Sequence, residues 1–147
     1  MSDDTLRSVD IERSSAGHYV ARNVRGGSIP IGTGGDDSFT PVELLLAALG
    51  GCSAVDVDLI TSRRAEPSGF VVKVTGDKVR DEAGGNRMEN LRVEFTVTFP
   101  DGAAGDAARD ILPRSLEMSH NRLCTVSRTV ETGTPVPITV APSTGDA

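Results

Sequence analysis

The sequence predicts an α+β fold. Short alternating apolar segments fill the N-terminal third, one long apolar helix with explicit start signals follows, and two long strand-like runs precede helix-compatible C-terminal segments. Val9-Asp10-Ile11-Glu12, His18-Tyr19-Val20-Ala21 and Ser28-Ile29-Pro30-Ile31-Gly32 alternate as strands, with Arg25-Gly26-Gly27 as a turn. A Gly/Asp loop from Gly32 to Ser38 leads to the helix. Thr40 is its N-cap, Pro41 takes the first helical position and Glu43 completes a Thr-x-x-Glu capping box. Leu45, Ala48, Leu49, Cys52, Val55, Asp56 and Leu59 then recur at helical spacing, which predicts their shared face as the inward one. Arg63-Arg64 favour the C-terminal end of the helix dipole, and Pro67 stops any continuation.

Two strands are predicted next, Phe70 to Gly76 and Leu91 to Phe99. Residues 81–90 form the loop between them, and Pro100-Asp101-Gly102 the turn after them. Ala103 to Ser119 reads as helix, with Pro113 predicted to kink or split it. A last helix is predicted from about Asn121 to Glu131, capped by Gly133 with Pro135 beyond, and Val136 to Val140 reads as a final strand.

A chain of 147 residues fits one domain, 1–147, with 1–5 and 142–147 expected to fray. It has no Trp, one Tyr and four Phe, so aliphatic side chains must build the core and burial against a second subunit is attractive. A net charge of −6 speaks against sequence-independent nucleic-acid binding and against attachment to anionic membrane. Residues 1–16 lack the apolar stretch of a signal peptide, and the apolar run Leu44 to Leu49 is too short to cross a bilayer. The expectation is a soluble, cytoplasmic protein, in which a Cys52–Cys124 bond is transient rather than structural.

Cys52 and Cys124 are the residues most suited to chemistry, as a reactive thiol and its resolving partner. A Cys on an apolar helical stripe is by itself an ordinary small core residue. Gly50-Gly51 beside it argues for more, because two glycines inside a helix cost about 1–2 kcal/mol relative to alanine and imply a close approach by something else. Asp56, one turn after Cys52, would raise the thiol pKa unless an arginine pairs with it; the alternative is that it points to solvent. Ser127 and Arg128 follow Cys124 at helical spacing and His120 precedes it by one turn. His120 is read either as a thiol-orienting base or as a surface residue. With His18 as the one other histidine, the Cys and His residues lack metal-site spacing, and no phosphate-loop, nicotinamide or flavin motif is present, so no bound cofactor is expected.

The segment TPVELLLAALGGCSAVDV, followed at a distance by SHNRLCTVSRT, resembles the OsmC/Ohr family of osmotically induced and organic-hydroperoxide-resistance proteins, in a divergent OsmC-like branch. The resemblance spans nearly the whole chain. It implies that the N-terminal strands and the strand pair form a sheet against the long Cys-bearing helix, in an intertwined homodimer. It also implies a thiol peroxidase in which Cys52 attacks an organic hydroperoxide to form a sulfenate and Cys124 resolves it as a disulfide. An external dithiol, of lipoyl or other type, then reduces that disulfide.

Two positions depart from the family pattern, and the supporting Arg is matched only loosely. The family's active-site Glu directly follows the helix-opening Pro, where this chain has Val42; Glu43, one place along, already serves the capping box. The family's supporting Arg comes from the N-terminal strands, which matches Arg13, with Arg22 and Arg25 as rivals. The second motif, usually Cys-Pro-Tyr, reads Cys124-Thr125-Val126. Leu45, Leu49 and Val55 around Cys52 would suit a hydroperoxide with an apolar tail. The competing readings are a non-catalytic dimer that binds a small apolar ligand and a thiol redox sensor without turnover.

Overall fold

A computed structural model describes residues 5–142 of the chain. The frayed ends expected at 1–5 and 142–147 fall almost wholly outside the described residues. The elements run β1 (Val9–Ser15), β2 (His18–Asn23), β3 (Ser28–Ile31), α1 (Pro41–Thr61), β4 (Gly69–Arg80), β5 (Asn86–Thr98), α2 (Ala103–Met118), a π-helical turn (Ser119–Leu123) and α3 (Thr125–Thr132). This is α+β, as the sequence predicts. Contacts divide the chain into two compact units, one of residues through Gly51 with Val71–Phe95, the other of Cys52–Phe70 with the residues from Thr96 on.

In the first unit, β1, β2 and β3 form an antiparallel sheet in chain order, with Ile11 opposite Ala21 and Tyr19 opposite Ile31. The register shifts between Arg13 and Ser15. The β4–β5 pair is a separate two-stranded sheet, so within one chain the strands make two sheets rather than one. β5 begins inside the segment expected to be loop, because Asp81 closes a tight turn early: its N–H donates to Gly85 O at 2.8 Å and its carboxylate accepts from Gly85 N–H at 2.8 Å.

His18 ties this sheet to the loop before α1. Its Nδ1 donates to Ala16 O at 3.0 Å and its Nε2 to Asp36 at 2.8 Å. Both partners are acceptors, so the two bonds are made together only when the ring is protonated to the imidazolium. The hydrogen bond from His18 to Asp36 is the chief cause of a His18 pKa above its ordinary 6.5, while the Ser38 N–H, followed by His18, holds Asp36 below the carboxylate value of 3.8. The His18 contribution is therefore fully present below pH 6.5 and lost as pH rises through the raised value. The Asp36 contribution is present above 3.8 and lost as pH falls through the lowered value. A ring-proton NMR titration is expected to place His18 above 6.5, and His18→Gln should lower the melting midpoint more at pH 5.5 than at pH 8.5. Equal losses at the two pH values would refute the imidazolium latch.

α1 starts as predicted: Thr40 N–H donates to Glu43 Oε1 at 2.9 Å and Glu43 N–H to Thr40 Oγ1 at 3.2 Å. Its buried face differs from the expected one. Leu49, Gly50, Val57 and Thr61 are buried, whereas Val55 and Leu59 are about 60% exposed and Ala48 is exposed. The helix is apolar around most of its circumference, so periodicity alone could not select the inward stripe. Leu49 is thus a core residue rather than a flank for substrate. By length and composition α1 is also apolar enough to cross a membrane, in contrast to the short apolar run considered above. Only one of the two helix glycines is under close approach. A Cβ on Gly50 would lie 2.5 Å from Val74 Cγ2, while one on Gly51 would meet nothing within 4 Å.

In the second unit, Ser68 N–H donates to Thr98 O at 2.8 Å, and α2 follows directly after β5. α2 is continuous through Pro113, so the helix is not split there. The ring removes a hydrogen bond, but buried Ala108 and Ser115 anchor the helix on either side of it. The predicted last helix starts later than expected, at Thr125, because Ser119–Leu123 winds as a π-turn. It ends at Gly133, which adopts the left-handed conformation at φ 65°. Val136–Val140 forms no strand. Val136, Ile138 and Val140 stand at least 81% exposed, and among the described residues no strand pairs with them, so the alternating pattern lacks the ladder it needs.

Candidate functional site

All the groups that meet at the thiols belong to the second unit. Cys52 sits on α1, half-buried; Cys124 is the N-cap of α3 and has no exposed surface. Both are free thiols, and the two side chains are neighbours, near enough for each to act on the other's ionisation. Cys124 holds an extended backbone (φ −73°, ψ 98°), which turns its sulfur back over the first turn of α3, where Sγ accepts from Ser127 N–H at 3.5 Å. A sulfur in the N-cap position satisfies a helix N–H that would otherwise lack a partner, and it lies at the positive end of the dipole. The N–H groups of Val126 and Thr125 face Cys52 instead. One short helix therefore offers its first amides to both sulfurs.

A chain of hydrogen bonds holds Cys124 at this place. Its N–H donates to Ser119 O at 2.8 Å, the i to i−5 bond that defines the π-turn. Ser119, 1% exposed, donates its hydroxyl to Asp56 Oδ2 at 2.9 Å. Asp56 lies one turn after Cys52, so the segment that carries one thiol is pinned to the helix that carries the other. Arg128 Nη1 donates to Asn121 O at 2.6 Å and braces the same turn from α3.

The environments of the two sulfurs differ. Burial pushes the Cys52 thiol up from its ordinary value; the Val126 N–H works against this, and the neighbouring Cys124 adds to the rise. Burial acts upward on Cys124 too, but the Ser127 hydroxyl, the Ser53 hydroxyl, the Ser127 N–H and the Cys52 thiol together hold it below the ordinary value. Ser127 Oγ is buried and makes no hydrogen bond of regular geometry with any described group, so its influence on Cys124 comes from proximity and its proton is uncommitted. No group of three or more His, Cys, Asp or Glu side chains suited to a metal occurs among the described residues.

A thiol on a long helix that opens with a Pro and a capping Glu, facing a second thiol at the start of a later helix, matches a known family. The profile of the OsmC-like protein family matches residues 34–139. The chain belongs to the OsmC-like family. Within it, the chain is similar to the uncharacterized protein Rv2923c of Mycobacterium tuberculosis, 31% identical over 132 residues that cover 88% of this chain and 93% of that one. The structure of an OsmC-like protein from Vibrio cholerae superposes with a TM-score of 0.70 at 14% identity, over 86% of this chain and 94% of that chain. That of an organic hydroperoxide resistance protein OsmC from Legionella pneumophila gives a TM-score of 0.56 at 10% identity, over 86% and 90%. At such identities these two report the OsmC-like fold.

Of the residues singled out from the sequence, the structure brings Cys52 and Cys124 together and places Asp56 and Arg128 around them as pins. Asp56 neither points freely to solvent nor meets an arginine in the hydrogen bonds described; its partner is Ser119. His120 is the surface residue of the two readings, with Nε2 3.7 Å from Glu131 Oε1. Glu43 is occupied by Thr40, which lowers its pKa through the backbone hydrogen bond. Arg13, Arg22 and Arg25 belong to the first unit: Arg13 is exposed opposite Tyr19, and Arg22 pairs with Glu12 at 3.2 Å. Ser53 and Ser119 were not singled out from the sequence. Ser53 is the residue after Cys52 and could have been suspected from that alone; Ser119 has no local signal pointing to Asp56.

Proposed function

We propose that the protein is a thiol peroxidase that reduces organic hydroperoxides, with Cys52 oxidised to a sulfenate and Cys124 resolving it as a disulfide. The observation that carries this reading is the proximity of two free thiols from separate helices at the start of α3. Membership of the OsmC-like family supports redox chemistry, and so does the name of the Legionella relative in fold. Val55 and Leu59 share a helix face with Cys52 and are exposed, which favours a peroxide with an apolar tail. Cys52, with open surface, meets the peroxide; Cys124 does not. An external dithiol, lipoyl-type or other, returns the disulfide to thiols.

In this reading the chain works as a soluble, cytoplasmic homodimer. The exposed Val9, Ile11, Val136, Ile138 and Val140 support a second copy as their cover. A redox sensor remains the second reading, favoured by Val42 in place of a carboxylate and by the absence of an arginine from the groups that set either thiol among the described residues. Single-turnover oxidation of the reduced protein by cumene hydroperoxide and by hydrogen peroxide, with thiols counted afterwards, decides. Loss of both thiols per chain, at least tenfold faster with the organic peroxide, is the expected result. Slow loss without preference would end the peroxidase reading.

A further inference from the structure

One residue fastens the backbone of Cys124 to the helix that carries Cys52. Ser119 donates its hydroxyl to Asp56 Oδ2 at 2.9 Å, and its carbonyl oxygen accepts from Cys124 N–H at 2.8 Å. Asp56 stands four residues after Cys52 on α1, hence on the same face. The π-turn makes this double role possible. In an α-helical turn Cys124 N–H would bond to His120 O, and the His120 side chain lies at the surface near Glu131. The extra residue of the π-turn hands that bond to Ser119, whose side chain reaches α1.

The link is buried and braced. Ser119 and Cys124 are both sealed from solvent, so water has little access to replace the bonds they make. The bond to Asp56 joins a hydroxyl to a carboxylate, one of the stronger classes of hydrogen bond. From the other side, Arg128 donates its backbone N–H to Cys124 O at 3.1 Å and its Nη1 to Asn121 O at 2.6 Å. Cys124 is thus held at both its N–H and its carbonyl.

We propose that Asp56 and Ser119 are positioning residues for the thiol couple: their bond holds Cys124 where its sulfur can close a disulfide with Cys52, and so sets how readily that disulfide forms. The inference rests on the Cys52–Cys124 pairing of the reading above and adds the two residues that fix the resolving thiol.

In the step they serve, the Cys124 sulfur attacks the sulfur of the Cys52 sulfenic acid. The S–S bond forms, the S–O bond breaks, and the departing hydroxide takes the Cys124 proton as water. The same disulfide also forms by exchange with glutathione disulfide. The two cysteines then give up two electrons and two protons, and glutathione leaves as two thiols. That route needs no peroxide. By either route the advantage is one of proximity, and a displacement of about 1 Å can cost on the order of a hundredfold.

The test is equilibration of the full chain in glutathione mixtures of graded ratio, with the internal disulfide told from glutathione adducts by mass after alkylation. Asp56 also puts a negative charge one turn from Cys52, so three variants separate bond from charge. Asp56→Ala removes both, Ser119→Ala removes the bond alone, and Asp56→Asn removes the charge but keeps an oxygen that accepts from Ser119. The two alanine variants are expected to weaken the disulfide by roughly tenfold or more, with a rise of about 30 mV in reduction potential for each tenfold. Asp56→Asn should stay close to the wild type. The double alanine variant should lose no more than either single one, because both remove the same bond. After cumene hydroperoxide, the alanine variants should be slowed more in closing the disulfide than in forming the sulfenate. If Ser119→Ala does not fold, the two Asp56 variants decide by themselves. Asp56→Asn matching Asp56→Ala would make the effect one of charge and overturn the proposal. A more stable disulfide in the alanine variants would also overturn it, since the bond would then have to break before the sulfurs join. So would a lowered melting midpoint with an unchanged disulfide equilibrium, or a wild type that forms no internal disulfide at any ratio. The expected pattern in a protein that peroxide does not oxidise would uphold the positioning role and end the peroxidase reading alone.

Discussion

Cys52→Ser is expected to abolish reduction of organic hydroperoxides, with loss of at least a thousandfold in turnover. An alcohol at this position is far less acidic than the thiol, and the two α3 amides that face it do not make up the difference. Cys124→Ser should behave differently. It keeps the accessible nucleophile and permits one oxidation, and then stalls as a sulfenic acid that a dimedone-type probe traps by mass. Steady-state peroxide consumption coupled to a dithiol reads both variants. Turnover by Cys52→Ser at even a tenth of the wild-type rate would place the chemistry elsewhere. Both substitutions are close in size, and neither sulfur takes part in a structural disulfide, so folding should survive each of them.

Gly105→Ala is expected to destabilise the chain by about 3 kcal/mol or more. A Cβ at this position would lie 1.7 Å from the carbonyl oxygen of Pro100 and 2.9 Å from its carbon. These are backbone atoms, so no side-chain rotation relieves the clash. The corner is held on the other side as well: Asp106 N–H donates to Gly102 O at 2.9 Å, and Arg109 Nη1 to Phe99 O at 3.0 Å, with Phe99 in the core. For a chain of this size the loss should lower the melting midpoint by roughly 6–12 °C. Gly51→Ala is the control. Its added methyl meets nothing within 4 Å and it lies inside α1, so it should gain about 0.5–1 kcal/mol from helix propensity. Similar melting behaviour of the two variants would show that the tight corner between β5 and α2 is not where stability is concentrated.

The site was partly legible in advance. Cys52 and Cys124 stood out because a long helix with a capping box carries one and a short polar segment the other, and their motifs resemble those of one family. Their surroundings were less legible. The resemblance implied arginine support from Arg13 and left Val42 where the family has its carboxylate, and the groups found to act on the sulfurs in their own unit are Ser53, Ser127 and the amides of α3. Ser127 was visible as a helical neighbour of Cys124. That its hydroxyl is buried without a regular partner depends on how α3 packs, which no spacing rule supplies.

By itself the sequence determined the local elements whose causes lie within a few residues: the start of α1 at Thr40 to Glu43, the left-handed stop of α3 at Gly133, and the alternating strands β1, β2 and β4. Capping, a positive φ and a period of two are short-range effects that read directly from neighbours. The tertiary structure decided which face of α1 is buried, whether Pro113 interrupts α2, and whether Val136–Val140 has a strand to pair with. It also decided the π-turn at Ser119, whose hydroxyl meets Asp56 from 63 residues away in sequence. Those outcomes depend on burial and on partners distant in sequence, whose free energies outweigh the few tenths of a kcal/mol that ordinary local preferences supply, about 0.5 kcal/mol per residue at most sites.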